Sequence, residues 1–318
     1  MGALTKIKKL MRDVECNVAI RPHKDEEIEE ITNEKFYVLK NTWRYWCADP
    51  FVIERNGTTY IFMEIYDRIT QHGEIGYRIW KNGKASKIHK CLKSEHHFSY
   101  PYVYSEDENI YMLPECYQSG KLIRYKATQF PDKWEKNEVL IEDTALCDTD
   151  VVDSEKGRFL LTTEVYGEPF RYDRLFLYNW NGVEWVKTND DPVVSGLDKA
   201  RNGGAVFENF GRIIRPAQNC EDSYGSALRF FEINVISENE YKETEICSLE
   251  AKDVKLKNMP NCFDGIHTYN TNGKYDVIDL RRENVFQSAR FLYLLRCRLK
   301  KIRRKRNDPF DKRYSTYL

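Results

Sequence analysis

The 318-residue sequence has no excess of either charge, because Lys plus Arg and Asp plus Glu both number 50. Without a basic surplus it lacks the electrostatic footprint of a nucleic-acid binder, so nucleic acid is set aside as a partner. It has no C-x-x-C pair, and its nine cysteines are odd in number and scattered. That excludes a disulfide framework and points to a reducing compartment. No stretch approaches the ~18 apolar residues that a membrane-spanning helix needs. Met1 to Asp13 is basic and only patchily apolar, so no signal peptide is read there. The expected location is cytoplasmic, or peripheral on the inner face of the plasma membrane. Aromatic residues, by contrast, are plentiful at 14%, with 21 Tyr and 6 Trp. They suit β-strands and, where exposed, stacking on sugar rings. Length alone allows two domains, but all-β folds often run this long as one.

The organising feature is an internal repeat. Ala48 to Ile65, Ser99 to Cys116, Asp148 to Val165, Asn202 to Asn219 and Gly265 to Arg282 align without gaps. Each has a polar or Gly/Pro entry, an apolar strand, a polar turn and a second apolar strand. Gly57, Gly157, Gly211 and Gly273 fall at or near one turn column. The starts are roughly 50 to 60 residues apart, the size of a four-stranded propeller blade. Outer strands are expected over Ile75–Trp80, Lys121–Lys126, Leu175–Trp180 and Ala227–Ile233. The fifth unit lacks its own outer strands, and Cys16–Ile20 and Lys35–Leu39 read as the strands that complete it. The sequence therefore predicts an all-β, five-bladed β-propeller over residues 1–285, closed by its N-terminus so that no sheet edge is exposed.

Residues 286–318 form a basic tail. Nine cations and no acid occupy 290–306, interleaved with Phe291, Leu292, Leu294, Leu295, Leu299 and Ile302. As a helix this segment is amphipathic and fits an anionic membrane surface; a basic helix packed on the propeller is the plainer alternative. Lys6, Lys8 and Lys9 add to the same charge.

Blade starts and inner-strand ends surround the central channel of a propeller. The first column supplies Asp49, Tyr100, Asp148 with Asp150, Gly203 and His267, and the second supplies Glu64, Glu115, Glu164 and Gln218. Carboxylates converging on one funnel repel one another and raise one another's pKa values, an arrangement expected where a cation, a sugar or catalysis compensates. Asp148 and Asp150 lie two apart on a strand, which lets both face one side. Arg201 and Arg215 flank the fourth hairpin and suit phosphate or carboxylate binding; structural salt bridges are the equal alternative. Asp222 and Tyr224 form a polar loop above that blade with Gln218. His97 precedes the second blade on the face that can reach the funnel.

Longer motifs carry a resemblance. These are W-x-ADPF at Trp46 to Phe51, H-x-SYP-x-V at His97 to Val103, YMLPE at Tyr111 to Glu115, RNGG…GRIIRPAQNCEDSYG from Arg201 to Gly225, and GIHTYN at Gly265 to Asn270. Together they resemble the propeller domain at the N-terminus of plant glucosamine inositolphosphorylceramide transferases, a domain also found in stand-alone bacterial proteins. The likeness covers roughly residues 15 to 285 and does not include the plant proteins' separate glycosyltransferase domain. It implies a role in cell-surface polysaccharide or lipopolysaccharide assembly. More distantly the pattern is similar to glycoside hydrolase families 43 and 32, which use a base or nucleophile in blade one, an orienting aspartate in blade three and a glutamate acid in blade four. Asp49 and Asp150 match the first two, but blade four reads Arg201-Asn202-Gly203-Gly204 and has no acid. Cleavage of a glycoside needs a proton donor, whereas transfer from a phosphate-activated sugar needs positive charge at the leaving group.

The resulting expectation is a glycosyltransferase-like enzyme acting on an activated sugar donor and a glycan or lipid-linked acceptor. Asp49, Asp150 and Glu115 are the catalytic candidates. Glu64, His97, Tyr100, Asp148, Glu164, Arg201, Arg215, Gln218, Asp222, Tyr224 and His267 are the candidate substrate contacts. A hydrolase with its acid relocated to Glu115 or Glu164, and a non-catalytic glycan-binding propeller, stand beside it. His267 falls near a histidine that holds a central cation in some family 43 enzymes, so a divalent cation in the channel is the one cofactor the resemblance suggests.

Overall fold

The computed structural model describes residues 12–286 apart from position 168, and positions 292, 295 and 296. The remainder of the basic tail and the Lys6, Lys8 and Lys9 segment lie outside the described residues. Five antiparallel sheets form the five blades of a β-propeller. Blade one runs outward through Tyr45–Arg55, Thr58–Asp67 and His72–Lys81, with the short strands Lys84–Ala85 and His89–Leu92 at its rim. Blade two is Ser99–Glu106, Asn109–Glu115, Leu122–Gln129 and Lys133–Ile141. Blade three is Leu146–Ser154, Gly157–Glu164 and Arg174–Trp180, edged by Trp185–Lys187 and Val194–Ser195. In blade four the inner strand is broken into Arg201–Asn202 and Phe207–Asn209, both paired with Arg212–Asn219, and Ala227–Ile236 and Tyr241–Glu250 follow.

Blade five is shared between the chain ends. Tyr269–Thr271 and Tyr275–Phe286 are its inner strands, and Arg12–Pro22 and Tyr37–Val38 from the N-terminus complete it. The expected closure is therefore the observed one. It runs without interruption from Pro22 opposite Tyr275 to Arg12 opposite Phe286, apart from one bulge near Asp13. All four outer strands expected from the sequence are present.

Apolar faces pack between neighbouring blades. Phe51, Phe62, Tyr77, Phe98, Tyr100 and Trp134 fill the seam of blades one and two. Ile214, Phe230, Tyr269 and Ile278 join four to five. A fully buried side chain of this size contributes about 1.5–3 kcal/mol, and these seams fix how the inner strands converge.

One local device shapes the channel. Blades one, two and three share a bulge near the start of the inner strand, between Ala48 and Phe51, Ser99 and Tyr102, and Cys147 and Asp150. Within each bulge one non-glycine residue takes a left-handed backbone: Asp49 at φ 49°, Tyr100 at φ 42° and Asp148 at φ 48°. Such a conformation costs on the order of 1–3 kcal/mol and collects at functional sites. Blade four substitutes Gly204 at φ 134°, where a Cβ would lie 1.8 Å from the Tyr269 carbonyl oxygen.

Candidate functional site

The inner-strand starts open into a funnel of about 650 Å³ lined by Asp49, Glu64, His97, Glu115, Arg201 and Tyr224, with Ser99, Tyr117 and Gln118 nearer the mouth. Two clusters of charge face each other across it.

On the wall of blades five and one, Asp49 is almost wholly enclosed. Its carboxylate accepts from the Tyr100 amide at 3.1 Å and the Thr268 hydroxyl at 3.1 Å, and meets His267 Nε2 at 3.0 Å. The same imidazole nitrogen lies 3.0 Å from Asp279, which also accepts from the amides of Asp49, His267 and Thr268 at 3.0–3.1 Å. Burial pushes the Asp49 pKa up, but His267 and the Tyr100 amide outweigh it, and the net direction is downward. Burial alone would lower His267, yet Asp279 and Asp49 raise it to about 9. Asp279 is raised by burial and by the neighbouring Asp49. Asp49 is thus an ionised carboxylate held by an imidazolium.

The opposite wall comes from blades two, three and four. Arg201 donates through Nε to Asp148 and through Nη2 to Glu115 at 3.3 Å. Gln218 donates to Asp148 at 2.9 Å and to the Asn202 carbonyl at 2.7 Å. The Arg201 guanidinium lies 5.0 Å from the Tyr172 ring and 5.1 Å from the Tyr224 ring, within cation–π range. Burial and the adjacent Asp148 charge hold the Glu115 pKa well above the ordinary carboxylate range, against the pull of Arg201.

Between the walls, His97 Nε2 lies 3.0 Å from Glu64 while its Nδ1 accepts the Gly73 amide at 3.0 Å. The amide bond fixes the tautomer, so Nε2 carries the proton to Glu64. A Cβ on Gly73 would lie within 2.6–2.7 Å of both His97 and Glu64, so glycine there keeps the pair together. Burial raises the Glu64 pKa.

Several sequence expectations change here. Glu164 does not join the glutamate column. Ala48 pairs with Glu64 and Ser99 with Glu115, but the equivalent Cys147 pairs with Thr163. Glu164 is displaced by one residue, which turns it to the other face, where it binds Lys187 at 2.5 Å and Tyr178 at 3.3 Å. Asp148 and Asp150 do not act side by side, because the bulge breaks the strand alternation between them. Asp148 takes the backbone position of Asp49, whereas Asp150 is fully buried beneath the funnel, accepts from the Tyr100 hydroxyl at 2.9 Å and has its pKa pushed up by burial. Tyr100 is also fully buried, so it plugs the channel floor and accepts the Gly204 amide at 3.0 Å. Arg215 is consumed by Glu243 at 2.6 and 2.8 Å and by the Lys199 carbonyl, with no exposed surface. Asp222 is exposed and lines a separate outer groove with Glu221 and Arg229.

The suggested cation has three candidate ligands. Ligand atoms of Asp49, His267 and Asp279 lie within 4.8 Å of one another. Each carboxylate oxygen of Asp49 and Asp279 accepts at least one backbone or hydroxyl hydrogen bond, and His267 Nε2 lies 3.0 Å from both acids. A second group, Glu115, Cys147 and Asp148, is covered by Arg201.

Asp279 and Tyr172 were not singled out from the sequence. An acid inside the apolar run DVIDL was the available signal for Asp279, since a core strand carries one only when it is paired.

The fold is a five-bladed propeller with an acid-lined funnel at its centre. Two solved structures share the fold. The catalytic domain of the Coprinopsis cinerea GH62 α-L-arabinofuranosidase superposes with a TM-score of 0.54 at 10% identity, covering 85% of this chain and 97% of that one. The Podospora anserina α-L-arabinofuranosidase gives 0.52 at 9% identity, covering 87% and 98%. The chain belongs to the family described as glucosamine inositolphosphorylceramide transferase 1, N-terminal, whose model matches residues 40–279. It is 32% identical over 215 residues to glucosamine inositolphosphorylceramide transferase 1 of Arabidopsis thaliana, and 30% identical over 209 residues to that of Oryza sativa subsp. indica. These matches cover 65% and 63% of this chain but 28% of each relative, so the chain spans just over a quarter of their length.

Proposed function

We propose that the funnel transfers a sugar from a phosphate-activated donor to a glycan or lipid-linked acceptor of the cell surface. The observation that carries this reading is Arg201 in the funnel wall, paired with Asp148 and Glu115 and framed by the Tyr172 and Tyr224 rings, in the same cavity as Asp49. The Asp49 pKa is driven down by His267 and the Tyr100 amide, which suits a carboxylate that accepts a proton. Asp49 takes the proton of the acceptor hydroxyl. Arg201 meets the donor phosphate, with Tyr172 and Tyr224 framing its guanidinium and one sugar ring seated between the walls. Arg201 serves alone, because Arg215 is locked to Glu243. The relatives' name, a transferase acting on a phosphoryl-linked lipid, supports the same class of chemistry.

Hydrolysis is the second reading, favoured by the raised pKa of Glu115. The two part on leaving-group chemistry, since a phosphate leaves without an acid whereas an alcohol needs one. Purified protein is offered a panel of nucleotide- and polyprenyl-phosphate sugars with lipid-linked acceptors, and separately aryl and alkyl glycosides, with products read by mass spectrometry. Transfer predicts that Arg201→Lys weakens turnover and Glu115→Gln spares it. Loss of alkyl-glycoside cleavage in Glu115→Gln identifies the hydrolase. No turnover of any donor, with sugar binding intact in Asp49→Asn, overturns both and leaves a binding propeller.

A further inference from the structure

We propose that the funnel continues into a second sugar-binding subsite at its mouth, over the seam of blades one and two, so that it holds a glycan of at least two rings. The cavity is lopsided. Apart from Arg201 and Tyr224, every residue lining it comes from blade one, blade two or the link between them. From Asp49 and Arg201 it extends to Gln71, Glu95, Tyr117 and Gln118. Its volume of about 650 Å³ lies within the ~300–1,000 Å³ of pockets that enclose a drug-sized ligand. A single ring seated between Asp49 and Arg201 would leave the outer part open.

The outer part is a formed surface. The His97 amide donates to Gln118 Oε1 at 3.1 Å, the Phe98 amide donates to the Gly73 carbonyl at 3.0 Å, and His72 Nε2 lies 3.2 Å from the Ser94 carbonyl oxygen. These contacts tie the link to both blades before any ligand arrives. The first also orients the Gln118 amide. With its oxygen accepting, its NH2 keeps two donors that have no partner among the described residues. Gln71, exposed on the same cavity, takes a left-handed backbone at φ 57°, a conformation that collects at functional sites. Tyr117 is half-buried, and its ring meets Phe170 in an edge contact with centroids 5.8 Å apart. An aromatic ring beside amide and carboxylate groups suits a pyranose, whose C–H face stacks while its hydroxyls bond the polar groups. Phosphate does not suit this end, because Glu64 and Glu95 line it and Arg201 is the one arginine or lysine among the described lining residues. A lipid tail does not suit it either, since no aliphatic side chain lines the cavity among the described residues. The subsite stands on this lining; only its assignment to the acceptor rests on the transfer reading.

The test screens the full chain against an array of monosaccharides and the disaccharides built from them, and titrates the strongest binders by calorimetry. A disaccharide should bind about tenfold tighter than its component monosaccharides. Tyr117→Ala and Gln118→Glu should each cut that ratio several-fold, and the double variant should bring it close to one, with the urea midpoint retained. Tyr117→Phe should keep the ratio, because the ring and not the hydroxyl forms the platform. Gln118→Glu keeps an oxygen for the His97 amide, so its loss of preference reports the missing NH2 and not a loosened link. Equal affinity for monosaccharides and disaccharides, no binding of any sugar on the array, or equal weakening of both classes by Tyr117→Ala would overturn the subsite. Turnover of the donor panel with monosaccharide and disaccharide acceptors separates it from the transfer reading. If disaccharides are preferred in binding and no donor is turned over, the transfer reading falls alone. If transfer proceeds with the same KM for both acceptor classes, the subsite falls alone.

Discussion

The two walls of the funnel use the same residue types for opposite ends. On the blade five side, two aspartates share one histidine, and backbone amides fill their remaining oxygens. That wall is rigid and completed by the fold itself. On the blade two to four side, Arg201 divides itself between Asp148 and Glu115, and Tyr172 and Tyr224 touch it only through their ring faces. That wall has the acid whose pKa burial raises and the cation whose partners a ligand can replace. The difference teaches that a carboxylate's role follows from what caps it rather than from its column in a repeat.

The comparison can be broken most forcefully at Asp49. Asn there should lower turnover about 10²- to 10⁴-fold, the usual range for a positioned base, with the fold retained by circular dichroism. Unchanged turnover would remove the rigid wall from the chemistry. Next come the two blade-four arginines. Arg215→Met should destabilise by about 3–5 kcal/mol, because Glu243 is left buried and unpaired, read as a shifted urea midpoint without a specific change in donor KM. Arg201→Lys should do the reverse, raising donor KM roughly ten- to a hundredfold with little effect on the midpoint.

A smaller effect is expected from pH. The raised His267 value means its stabilisation is complete below the ordinary imidazole value of 6.5 and is lost as pH rises through about 9. The depressed Asp49 value means its stabilisation is present above the ordinary carboxylate range and is lost as pH falls through its folded value. Urea midpoints should therefore fall on the alkaline side, and His267→Gln should flatten that limb. The smallest effect sharpens the case for a proton in place of a cation: chelation with EDTA should leave both midpoint and turnover unchanged.

Much of the fold was legible because it is written in repeated local signals. A polar turn between two apolar strands recurs five times, and missing outer strands in the fifth unit have an obvious donor at the N-terminus. Placement around the funnel was legible where a residue's column matched its register, as for Asp49, Glu64, Glu115 and His267. It was not legible where one residue of slack intervened. The bulge at Asp148 moves Glu164 off the funnel and sends Asp150 beneath it, and nothing in a gapless alignment marks a bulge. Arg215 misled for another reason: sequence position gives proximity to the funnel but not whether a partner such as Glu243, on a later strand, has already claimed the guanidinium.

Closure of blade five by both chain ends has an architectural consequence. A ring latched this way has one attachment point, and that point opens on the funnel rather than on the hairpin turns. Arg12 and Phe286, paired at that end, hold the ring shut on the side where Asp279 meets Asp49, so separating them would loosen the rigid wall before any other part of the funnel.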